Sequence, residues 1–97
     1  MGEGKVESLE LNVYPNPSFG NAVIKYGLPE KASVSLRLYD ISGRLVKTIY
    51  SGVQEKGEYE VSFSRGEVTS PLPVGIYFIR LEVDDYKETT RKLTILR

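Results

Sequence analysis

The stretch Ser33-Val34-Ser35-Leu36-Arg37-Leu38-Tyr39 alternates polar and apolar side chains without a break. Successive side chains of a β-strand point to opposite faces, so Val34, Leu36 and Leu38 share one face and Ser35 and Arg37 the other. One buried face and one wet face is the pattern of an antiparallel strand at the surface of a core.

The same period of two recurs on both sides, broken about every eight to twelve residues by turn formers. Toward the N-terminus, Pro29-Glu30-Lys31 makes a turn and Ala22–Leu28 sets Ala22, Ile24, Tyr26 and Leu28 on one face. Before it, Pro15-Asn16-Pro17-Ser18-Phe19-Gly20-Asn21 stops Ser8–Tyr14, in which Leu9, Leu11 and Val13 align. Toward the C-terminus, Asp40-Ile41-Ser42-Gly43 is a tight connection. In the following Arg44–Ser51, Leu45, Val46, Ile49 and Tyr50 do not share a face, and a bulge reconciles them. Gly57–Phe63 alternates cleanly, and Ser64–Val74 is the longest irregular stretch. Gly75–Val83 is apolar on both faces over its first half, which predicts a central strand covered on both sides. Asp84-Asp85 opens a hairpin and Thr89–Leu96 returns to the chain end.

Helical spacing can be imposed on Ile41–Tyr50, but β-branched residues and flanking glycines oppose it. The expectation is an all-β chain: a seven-stranded antiparallel immunoglobulin-like β-sandwich, with an oligonucleotide-binding type of barrel as the structural competitor. Residues 1–7 read as a flexible N-terminal linker, with Met1-Gly2 an expression start on a fragment of a longer protein. Residues 8–97 read as the single domain.

Composition narrows the function. Ninety-seven residues hold one core and little volume for an enclosed catalytic pocket. Thirteen basic and thirteen acidic residues cancel, which removes the electrostatic footprint of a nucleic-acid binder. Near-zero charge also weakens repulsion between copies and favours weak self-association. There is no cysteine and no histidine, so the usual thiolate, imidazole base and metal ligands are missing. No apolar run approaches the ~20 residues that span a bilayer. No cofactor is expected, and the chain reads as not an enzyme.

Four groups of residues invite a functional reading. Tyr14-Pro15-Asn16-Pro17 is a rigid corner, because each proline holds the residue before it extended, and Asn16 suits a local turn clamp. The same corner also suits a recognition surface. Asp40 and Arg44 around Gly43 form a turn in which Asp40 accepts amide protons and pairs with Arg44. Glu82, Asp84, Asp85 and Glu88 are a hairpin tip without the ligand spacing of a calcium loop. Of seven tyrosines, Tyr26 and Tyr59 fall on core faces. Tyr39, Tyr50 and Tyr86 fall where rings can be exposed, which leaves carbohydrate stacking as one reading.

Taken together, the motifs resemble the type IX secretion system C-terminal sorting domains of type A. The resemblance runs from about Leu11 to Arg97. It rests on Tyr14-Pro15-Asn16-Pro17, on Ile24–Pro29, and on Val34–Arg44 with its Y-D-x-x-G-R. Gly75-Ile76-Tyr77-Phe78-Ile79-Arg80-Leu81 and the closing Lys92-Leu93-Thr94-Ile95-Leu96-Arg97 complete it. It implies a domain appended to a larger passenger protein, read by an outer-membrane translocon and removed by a processing protease. The passenger would reach the cell surface or the medium through the periplasm. Lys92, Leu93, Thr94, Ile95, Leu96 and Arg97 would be the residues recognised. Tyr14, Pro15, Asn16, Pro17, Asp40, Gly43, Arg44, Gly75 and Tyr77 would be structural.

Immunoglobulin-like modules similar to the flagellar hook-capping protein's domain share the Y-D-x-x-G-R and G-x-Y patterns. They keep a structural spacer or assembly module open as the alternative, beside a carbohydrate-binding accessory module of a secreted hydrolase. Physics adds that a last strand at a sheet edge is suited to pairing with another sheet, and equally to closing the fold.

Overall fold

The computed structural model describes residues 9–19, 21–64, 73–84 and 87–96. Seven strands follow one another: β1 Glu10–Tyr14, β2 Asn21–Leu28, β3 Ala32–Asp40, β4 Leu45–Gln54, β5 Gly57–Ser64, β6 Gly75–Val83 and β7 Lys87–Ile95. They form a three-stranded sheet in the order β1-β2-β5 and a four-stranded sheet in the order β4-β3-β6-β7. Every ladder is antiparallel. Two separate sheets, not one closed barrel, make this a β-sandwich of immunoglobulin type.

The alternation read in the sequence sets the two inner faces. Leu11, Ala22, Ile24, Tyr26, Leu28 and Phe63 from the smaller sheet meet Val34, Leu36, Leu38, Tyr77, Ile79, Leu81, Leu93 and Ile95 from the larger. Burying each Leu or Ile contributes roughly 1.5–3 kcal/mol. Together these side chains oppose the entropy of ordering so short a chain.

The irregular apolar spacing of β4 is resolved by bulges. Leu36 pairs with Tyr50 and Arg37 with Thr48, so Ile49 is an extra residue. Leu38 pairs with Lys47 and Tyr39 with Leu45, which makes Val46 a second one. Val46, Ile49 and Tyr50 thereby all pack against the core. The two bulges also disrupt this edge as a template for further pairing.

Three expectations are corrected. β4 begins at Leu45 and runs on to Gln54, and β7 covers Lys87–Ile95 instead of Thr89–Leu96. β6 is not covered on both faces: Tyr77, Ile79 and Leu81 are buried, whereas Ile76 and Phe78 are half-buried on the outer face. A two-layer domain has no third layer for that face, and neighbouring side chains shield it instead. Tyr39 and Tyr50 are half-buried and not exposed, the first beneath the Arg80 guanidinium at 4.7 Å and the second against the core. Ser8, Gly20, Asp85, Tyr86 and most of the Ser64–Val74 stretch lie outside the described residues.

Candidate functional site

The four-stranded sheet gathers the motifs at one end. Asp40 at the end of β3 is opposite Tyr77, and Tyr77 is opposite Leu93 on β7. Gly75 at the start of β6 faces Ile95. The corner Tyr14–Pro17 lies against the free edge of β7, because Ser18 bridges Ile95 in parallel. Segments far apart in sequence therefore meet around the end of β7.

Within β7, Leu93 and Ile95 point into the core at 1% exposure each, whereas Lys92 and Leu96 are exposed and Thr94 is half-buried. Arg97 lies outside the described residues. Both X-Pro bonds of the corner, Tyr14-Pro15 and Asn16-Pro17, are cis. The Asn16 side chain does not clamp its own turn, as its position between prolines had suggested. Its Nδ2 donates to the Lys92 carbonyl at 2.6 Å, and its Oδ1 accepts from the Thr94 amide at 3.0 Å. Ser18 continues the pattern: its amide donates to the Thr94 carbonyl at 2.8 Å, and its carbonyl accepts from the Leu96 amide at 2.7 Å. Two residues thus satisfy four outward main-chain groups of the last strand, which the edge of a sheet would otherwise leave to water.

The Asp40–Arg44 turn is built as its residues suggested. Asp40 Oδ1 accepts from the Ser42 hydroxyl at 2.7 Å, the Arg44 amide at 2.9 Å and the Ser42 amide at 3.0 Å. Its Oδ2 accepts from Arg44 Nε at 3.3 Å. These donors favour the carboxylate, the Ser42 hydroxyl most, and hold its pKa at about 2. Gly43 takes φ +90°, a left-handed conformation that a side chain opposes. Tyr77 is buried, and its hydroxyl donates to the Pro73 carbonyl at 2.7 Å. That ties the start of β6 to its incoming loop in the manner of a tyrosine corner. The sequence carried a signal for this bond, a tyrosine two residues into a strand that follows a proline-bearing loop.

Beyond Ile76, Phe78 and Tyr39, the outer face of the same sheet carries a cluster of charges. Arg37 and Arg80 are directly opposite one another, a like-charge pair that destabilises unless compensated. Glu82 compensates it, 3.7 Å from Arg37 and 3.6 Å from Arg80, and Glu88 lies 3.9 Å from Arg80. Asp84 accepts from the Ser33 amide at 2.9 Å, so the described acidic residues Glu82, Asp84 and Glu88 are all engaged with their own sheet. No group of three metal-ligating side chains occurs among the described residues. No helix among them is long and apolar enough to cross a membrane. Of the tyrosines described only Tyr14 is exposed, at 44%, so they form no row of exposed rings.

The profile of the secretion system C-terminal sorting domain matches residues 12–96. The chain belongs to that family. The type IX resemblance carried by the YPNP, Y-D-x-x-G-R and G-x-Y motifs thus holds over nearly the whole sorting domain. In three dimensions the sorting domain is similar to part of dimeric latent PorU from Porphyromonas gingivalis, with a TM-score of 0.72 and 19% sequence identity. The match covers 91% of the sorting domain but 9% of the PorU chain, and at that identity it speaks for the fold. No curated protein sequence matches the sorting domain.

Proposed function

We propose that this sorting domain is recognised, through protein–protein contacts, by the outer-membrane translocon of a type IX system. The surface recognised is the end of the four-stranded sheet around β7, and the segment read is Lys92–Arg97. The passenger is carried through the periplasm to the surface or the medium, and a processing protease removes the domain.

One observation carries this reading. Of the seven exposed large hydrophobic side chains among the described residues, six belong to segments that meet at that end. Tyr14 and Phe19 flank the corner, Ile41 and Leu45 flank the Asp40 turn, Val74 precedes β6 and Leu96 follows β7. Val53 alone lies elsewhere, opposite Ser33. These side chains are spread along one end of the sheet from the β3–β4 turn to β7, and exposed apolar side chains gathered at one end suit a partner.

The test is a fusion of the whole chain behind a secretory signal and a fluorescent passenger, carrying Phe19→Ser, Ile41→Ser and Leu96→Ser together. Exposed substitutions leave stability within about 0.5 kcal/mol each. Loss of apolar anchors weakens recognition by about tenfold or more, which is read as passenger left in the periplasm. Export of the folded triple variant at the level of the unchanged domain would overturn the reading.

A further inference from the structure

Residues of β7 alternate in the direction of their main-chain groups. Since Thr94 directs both its amide and its carbonyl away from β6, so do Lys92, Thr90 and Glu88, because the β6–β7 register runs without a shift. The outer edge therefore has two halves. From the Lys92 carbonyl to the Leu96 amide it is filled by Asn16 and Ser18. Over Glu88, Thr90 and the Lys92 amide it bonds to no other element among the described residues. The Thr90 carbonyl takes only a local contact of 3.3 Å from the guanidinium of Arg91. Arg91 is paired with buried Ile79 and so lies on the core-side face, yet it is exposed. A charge on that face is a device that keeps stray strands off an edge.

We infer that the outer edge of β7 receives an extended acidic strand from a partner protein. It pairs first with Glu88, Thr90 and the Lys92 amide and then takes over the positions held by Asn16. Three features point to this occupant. The free half offers main-chain donors and acceptors at the spacing of a β-ladder. The neighbouring half already displays the bonds a visitor would make, supplied by an exposed asparagine side chain that a strand can replace. Arg91 and Lys92 are exposed on this edge, and the nearby Glu88 carboxylate lies 3.9 Å from Arg80, so a strand bearing Asp or Glu is favoured and draws Arg91 off the Thr90 carbonyl. Corner and arginine together screen the edge until that strand arrives. In naming the secretion machinery as the source of the strand, this inference rests on the sorting reading.

The test uses the whole-chain passenger fusion with Thr90→Pro. The Thr90 amide faces away from β6, so proline costs the sheet no ladder bond, as at other edge positions, while it blocks an incoming strand. Thr90→Val, which keeps the main chain, is the control. A second variant, Arg91→Glu with Lys92→Glu, reverses the charge of the edge without touching the core. Folding of each is checked by thermal melting. The expected result is export lowered about tenfold by each of the two edge changes and unchanged by Thr90→Val, one ladder contact corresponding to about that factor in affinity. Wild-type export from folded Thr90→Pro or from the folded charge-reversed variant overturns the inference and leaves the sorting reading standing. Failure of the unchanged domain to export its passenger overturns both.

Discussion

Replacing Tyr26 by Phe removes one hydroxyl from the core, and with it a contribution to stability that the wild type loses at alkaline pH. Tyr26 is 2% exposed, its hydroxyl donates to Gln54 Oε1 at 2.7 Å, and its ring stacks on Tyr59 at 5.4 Å between centroids. Phe keeps the stack and loses the bond, which costs about 1 kcal/mol at neutral pH. For a domain of this size that is a fall of about 4–6 °C in Tm. Burial raises the Tyr26 pKa above its ordinary 10.0, against the opposing effect of the Gln54 bond. The unfolded chain therefore releases this proton first, and the Tyr26 contribution, fully present below pH 10, is lost as pH rises through the folded value. Urea unfolding at pH 7 to pH 11 would show Tyr26→Phe less stable than the wild type at neutrality, with the gap closing above pH 10. A gap constant across that range would mean that Tyr26 ionises as freely when folded as when unfolded, and the reasoning from burial would fail.

Other consequences are as direct. Asp40→Asn removes a group whose folded pKa of about 2 lies below its ordinary 3.8. The wild type's advantage over it, present above pH 4, is lost as pH falls toward 2, which thermal melts across that window would reveal. Glu82→Gln leaves Arg37 and Arg80 opposed without their shared carboxylate. It destabilises by about 0.5–1 kcal/mol at low salt and by less at 1 M salt, where like-charge repulsion is screened. Asn16→Ala frees the Lys92 carbonyl and the Thr94 amide at a cost of about 1–2 kcal/mol. Hydrogen exchange at Thr94 should accelerate while Leu81 in the sheet centre follows global stability alone; unchanged protection at Thr94 would contradict the clasp.

How far the sequence could be read depends on the range of the interactions involved. Val34, Leu36 and Leu38 declare their strand because a period of two is a local property; the bounds of Gly75–Val83 were legible from its apolar run, but not that its outer face lacks a covering layer. The phase slip between Leu45–Val46 and Ile49–Tyr50 announced a bulge, and the ladder places extra residues at Val46 and Ile49. The Asp40 turn was legible because its bonds span at most four residues. Asn16 was not. Its partners lie 76 and 78 residues away, and nothing local distinguishes an asparagine that clamps its turn from one that substitutes for a strand. Nor does periodicity reveal that Arg37 faces Arg80, since pairing between strands 43 positions apart is set by the whole sheet. The motif residues were recognisable one by one, whereas their meeting at one end of the larger sheet is a product of topology.

The most direct test of the central claim compares two passengers in a bacterium whose own type IX substrates are exported normally. Both carry a secretory signal, and only one carries the sorting domain. Passenger at the surface or in the medium when the domain is present, and in the periplasm when it is absent, is the predicted result. A passenger that stays in the periplasm with the folded domain attached, while the host's own substrates leave, would contradict the account.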